Sequence, residues 1–107
     1  MKPSINMSTT FDITLLAGLE RRPGNVALHL ASEVGEVCDH INRPGRQKEP
    51  LVNEIADTIH CLLDLYYLTE VKKSEYMHLT EEEFREALAE ELNEALKLKG
   101  EKWKSQL

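Results

Sequence analysis

Long apolar runs are missing from this 107-residue chain. No segment approaches the roughly 20 apolar residues of a membrane-spanning helix, and the first residues lack the apolar stretch of a signal peptide. Strand-like alternation bounded by turn residues is missing too, as are internal repeats and low-complexity tracts. Cysteine is scarce. Cys38 and Cys61 fall in helical stretches and read as small buried hydrophobes in a reducing compartment rather than as a disulfide. Basic residues are outnumbered, 13 Lys and Arg against 19 Asp and Glu, with no basic stripe before the C-terminal stretch. That argues against a general nucleic-acid surface. These absences predict a cytoplasmic protein with neither a membrane nor a nucleic-acid partner.

With 41% hydrophobic residues the chain has enough apolar material for one folded domain over 1–107, and the 30% charged residues must be solvated surface or a cation site. Residues 1–9 read as a loose start. Phe11, Leu15, Leu16 and Leu19 recur at helical spacing and predict a short helix over 10–21. Arg21-Arg22-Pro23-Gly24 breaks it, and Asn25 is the predicted N-cap of a helix over 26–41. A polar loop runs from Asn42 to Pro50, and a second long helix is predicted over 51–71. Thr80 and Glu83 have capping-box spacing and open a third long helix, for which Gly100 is the predicted end, leaving 100–107 as a tail. The expected fold is all-α, an antiparallel bundle of three long helices and a short N-terminal one.

The two central helices carry the chemistry. At roughly 100° per residue, Val26, Leu30, Val34, Val37 and Ile41 form an apolar stripe on the first. Glu33 borders that stripe, and Glu36 lies about 60° further round. On the second, Leu51, Ile55, Ile59, Leu62 and Leu65 form the stripe, with Glu54 at its edge and Asp57 about 60° beyond, in the same rotational sense. One acid pair at this spacing is what an ordinary solvated helix face carries. If the two stripes pack together, two pairs in matched phase bring four carboxylates to one seam; the alternative is that all four are ordinary helix-surface acids. Like charges there need an opposite charge, and Mg²⁺ suits them because it takes oxygen ligands and pairs a few carboxylates with substrate phosphates.

Leu30-Ala31-Ser32-Glu33-Val34-Gly35-Glu36-Val37 with Asn53-Glu54-Ile55-Ala56-Asp57 resembles the Glu-x-x-Glu and Glu-x-x-Asp signature of MazG-like pyrophosphohydrolases. Pro23-Gly24-Asn25 upstream resembles the deoxycytidine triphosphatase branch, and the likeness spans roughly residues 20–70. It implies that Glu33, Glu36, Glu54 and Asp57 bind Mg²⁺, with Mn²⁺ able to substitute. The implied reaction is hydrolysis of a (deoxy)nucleoside triphosphate to monophosphate and pyrophosphate, in nucleotide-pool control or house-cleaning. The chain departs from the family at Ser32, where many members have glutamate, and at Leu98 and Glu101, where asparagine and arginine are expected.

Within that reading Glu36 is the candidate general base. Arg21 and Asn25 are placed near the nucleotide by the resemblance, and His29 is a further candidate for contact with it. His29 and His40, one turn from Glu33 and Glu36, can also hydrogen-bond a ligand carboxylate. Lys99 and Lys102 share a helical face with Phe84, Leu88, Leu92 and Ala95; they can reach phosphates or snorkel at the helix end. Arg43, Arg46 and Lys48 in the loop are alternative phosphate contacts. A zinc site built from Cys38, His40, His60 and Cys61 has the wrong spacing. The apolar arc of the second central helix is wider than one partner helix covers, which predicts burial against another subunit, and the resemblance implies a homodimer or homotetramer. Two other classes fit an acidic helical bundle: a carboxylate-bridged di-iron or di-manganese protein and a non-catalytic helical adaptor.

Overall fold

A computed structural model describes residues 3–107, the Arg46 side chain excepted, and four α-helices account for most of them. They are α1 (Met7–Ala17), α2 (Pro23–Asn42), α3 (Leu51–Glu70) and α4 (Glu81–Ser105), with single 3₁₀ turns at Pro44–Arg46 and Ser74–Tyr76. No strand occurs among the described residues, and no helix is long and apolar enough to cross a membrane. The expected loose start lies partly outside the described residues, and α1 already begins at Met7. Two compact units are present, Met1–Lys72 and Lys73–Leu107.

Local chemistry sets the helix ends. Asn6 caps α1 by accepting from the Thr9 N–H, and Gly18, at φ 109°, turns the chain away after Ala17. Arg21 therefore lies beyond the helix expected to contain it. α2 starts at Pro23, not after Asn25: Arg22 occupies the cap position without a side-chain bond, and Pro23 supplies a pre-set φ and a missing N–H where none is needed. Asn25 sits in the first turn.

Within the first unit α3 packs against both α1 and α2. Thr10 meets His60 and Thr14 meets Asp64, a constant offset that makes α1 and α3 parallel. His29 meets Cys61 while Glu36 meets Glu54, so α2 runs antiparallel to α3. Phe11 and Tyr67 rings pack 5.2 Å apart at the centre of the core, with Leu63 and Leu68 also buried. Burying a side chain such as Phe11 contributes about 1.5–3 kcal/mol relative to leaving it in water.

The stripe expected to be buried on α3 is only partly so. Ile55 and Leu62 are 42% and 49% exposed, and on α2 Val34 and Ile41 are exposed as well. The inward arc of α3 instead carries Glu54, His60, Cys61, Asp64, Tyr67 and Leu68. His60 and Asp64 can sit there because Thr10 and Thr14 hydrogen-bond them, at 2.5 and 2.6 Å.

The second unit holds the expected capping box. Thr80 Oγ1 accepts from the Glu83 N–H and Glu83 Oε1 accepts from the Thr80 N–H. Phe84 and Leu88 are buried, Tyr76 packs edge-on against Phe84 at 5.3 Å, and its hydroxyl donates to Glu91 at 2.6 Å. α4 does not end at Gly100 but continues to Ser105. Strong helix formers on both sides outweigh the roughly 1 kcal/mol cost of one glycine.

Candidate metal centre

Glu54 is the pivot of the site. It stands in the first turn of α3, where the helix N-terminus favours a negative charge, and is only 6% exposed. Glu33 and Glu36 reach it from α2, and one carboxylate oxygen from each of the three lies within 4.8 Å of the others. A second group of the same tightness joins Glu54 to Asp57 and Glu49. The four expected acids are thus gathered around Glu54 as two overlapping sets, with Glu49 as an unforeseen fifth. Only the fold of the loop before Pro50 brings Glu49 there, and no helical periodicity could have signalled it.

The electrostatics follow from this crowding. Burial pushes the Glu54 carboxyl above the usual carboxylate range; a hydrogen bond with Glu36 and the charges of Glu36, Glu49 and Asp57 push it the same way. Glu54 Oε2 and Glu33 Oε2 are buried with no hydrogen-bond partner. Two buried, unpartnered acceptor oxygens on acids of one crowded group fit a hard divalent cation, which supplies the missing charge and accepts oxygen ligands.

Beside the acids opens a cavity of about 180 Å³ lined by Glu36, Asp39, His40, Gln47, Lys48 and Glu54. Gln47 Nε2 donates to the His40 carbonyl at 2.7 Å and so folds the loop back over the end of α2. His40 Nδ1 is buried and unpartnered, and the ring lines the cavity together with Glu36 and Glu54. Lys48 brings a cation to the same cavity.

The other expected residues are distributed unevenly. His29 lies 3.0 Å from Glu33 Oε1 through Nε2, so it does contact a carboxylate of the cluster. Arg21 is engaged elsewhere: Nη1 and Nη2 bond the two oxygens of Asp64 at 2.9 and 2.8 Å, and Nε donates to the Gly18 carbonyl. Burial pushes the Asp64 carboxyl up, but hydrogen bonds from Arg21 and Thr14 outweigh it and hold the group below its ordinary value. Asn25 is exposed. Lys99 and Lys102 are exposed on α4, in the second unit. Compared with known protein families, curated proteins and solved structures, the chain matches none.

Proposed function

We propose that this chain is a Mg²⁺-dependent pyrophosphohydrolase that converts (deoxy)nucleoside triphosphates to monophosphate and pyrophosphate, in control or cleansing of the nucleotide pool. The observation that carries the reading is the burial of Glu54 against Glu33 and Glu36, with two of their oxygens lacking any partner. The likeness of the two acid pairs to the MazG-like signature supports it, and rests on the residues alone.

Glu33, Glu36 and Glu54 would hold the cation, with Asp57 extending the set. When bound, Mg²⁺ supplies charge that screens the triphosphate and orients it for in-line attack at the α-phosphorus. Mn²⁺ would serve in its place. Glu36 is exposed and lines the cavity, so its carboxylate can take the proton of an attacking water. Lys48 lines the same cavity and offers an ammonium to the phosphates, while His40 offers a ring nitrogen to a ligand carboxylate or to substrate. The acids alone would repel a triphosphate; a cation and a lysine at one opening reverse that balance.

Oligomerisation belongs to the same proposal. Val34 and Ile41 on α2, and Ile55 and Leu62 on α3, are two i, i+7 pairs of exposed aliphatic side chains. A second copy of the chain covering them completes the bundle as a homodimer, or a homotetramer by repetition.

The test is thermal stability with Mg²⁺ and a non-hydrolysable triphosphate. The wild type should gain several degrees, because a ligand that binds only the folded chain stabilises it. Glu54→Gln should gain little. A wild type indifferent to both ligands is the result expected of an adaptor with merely solvated acids.

A further inference from the structure

His29, Glu33 and Cys61 form a second group that shares Glu33 with the acid cluster and adds a thiol to which the hydrolase reading gives no role. His29 and Glu33 stand one turn apart on α2, and Cys61 meets them from α3. Each offers a ligand atom within 4.8 Å of the other two. Unlike the acids around Glu54, this set is mixed: a thiol, an imidazole and a carboxylate. Such donors do not suit Mg²⁺, which takes oxygen, but they are the donor types of Zn²⁺ and related borderline-soft cations.

The sulfur–nitrogen separation agrees with that chemistry. Cys61 Sγ lies 3.7 Å from His29 Nδ1. Around a tetrahedral zinc ion, Zn–S of about 2.3 Å and Zn–N of about 2.0–2.1 Å put sulfur and nitrogen ligands about 3.6 Å apart. Glu33 Oε1 already bonds the other ring nitrogen at 3.0 Å, and its Oε2 is buried without a partner. Cys61 and Glu33 thus meet opposite nitrogens of the His29 ring, and a cation shared by all three requires that ring, 63% exposed, to re-orient; the exposure leaves the site open to solvent on that side. Three protein ligands and one open position make a zinc site of the non-structural kind.

We propose that His29, Glu33 and Cys61 form a binding site for a thiophilic divalent cation of the Zn²⁺ class, distinct in chemistry from the Mg²⁺ cluster. The cation replaces the thiol proton of Cys61, which passes to solvent, and the thiolate, an imidazole nitrogen and a Glu33 oxygen hold it. Glu33 is common to both groups, so a cation held here competes with the set around Glu54. That regulatory consequence alone rests on the hydrolase reading; the binding site does not.

Cobalt(II) is the probe, because a thiolate–cobalt bond gives a near-ultraviolet charge-transfer absorption that oxygen ligands do not. Titrating the full chain with Co²⁺ should produce that band, saturating at one ion per chain and abolished by Zn²⁺ but not by Mg²⁺. Cys61→Ser should lose the band and Cys38→Ser should keep it. His29→Gln, at an exposed position that does not threaten folding, should weaken or abolish it. No band in the wild type, or a band that survives Cys61→Ser, overturns the proposal.

Discussion

The carboxyls of Glu54 and Glu36 meet across the contact between α3 and α2, the first buried and the second exposed. A buried acid beside another acid has its folded-state pKa raised above the unfolded value, and burial is the largest cause here. Its contribution to stability is fully present below the unfolded pKa and is lost as pH rises through the folded one. Glu54→Gln, of the same shape and never charged, should therefore melt higher than the wild type at neutral pH in the presence of a chelator. Mg²⁺ should raise the wild type only. Melting curves with chelator and with Mg²⁺ check this; a variant that melts lower than the wild type under chelator contradicts it.

Arg21 and Asp64 make the opposite kind of contact. The guanidinium and carboxylate share two bonds of 2.9 and 2.8 Å, and Thr14 adds a third bond to the carboxylate. Both side chains keep some solvent contact, which weakens the pair relative to a dry one. Arg21→Ala should cost about 1–2 kcal/mol. Because the folded-state pKa of Asp64 is lowered, its stabilisation is present above the unfolded pKa and is lost as pH falls through the folded one. Denaturant titrations should show the gap between wild type and Asp64→Asn closing in acid.

Thr80 caps α4 through its hydroxyl. Thr80→Ala leaves the Glu83 N–H of the first turn without its partner and should cost about 1 kcal/mol. Thr80→Ser keeps the oxygen and should cost much less. Chemical denaturation of the three proteins makes the comparison, and equal losses for alanine and serine would place the effect in the methyl group instead of the cap.

Leu62 is the most exposed of the aliphatic side chains on its flank of α3 that the sequence pattern assigned to a buried stripe. If a second copy covers it, Leu62→Glu places a charge in that contact and should shift sedimentation from oligomer to monomer. A wild type that sediments as a monomer over a wide concentration range sinks the assembly.

How the fold reads in the sequence differs from element to element. The capping box at Thr80 and Glu83 and the break before α3 are local signals, and the helices lie close to where those signals place them. Glu33, Glu36 and Glu54 converge because their phase on two helices is a property of spacing. The inward face of α3 is different. His60 and Asp64 have their partners in Thr10 and Thr14, fifty positions earlier. Their partners lie on another helix, so periodicity assigned the buried face to the apolar stripe and missed the polar one. Glu49 was illegible for a related reason: a loop, not a helix, carries it to Glu54. Arg21 has its acid partner near in space but remote in sequence, so its pairing with Asp64 has no signal in local spacing.

The most direct measurement is pyrophosphate release from a panel of eight ribo- and deoxyribonucleoside triphosphates with Mg²⁺, comparing wild type with Glu36→Ala. The account predicts release from one or a few nucleotides, with the monophosphate as co-product, and its loss in the variant. A folded wild type that releases no pyrophosphate from any of them, with Mg²⁺ or with Mn²⁺, contradicts it.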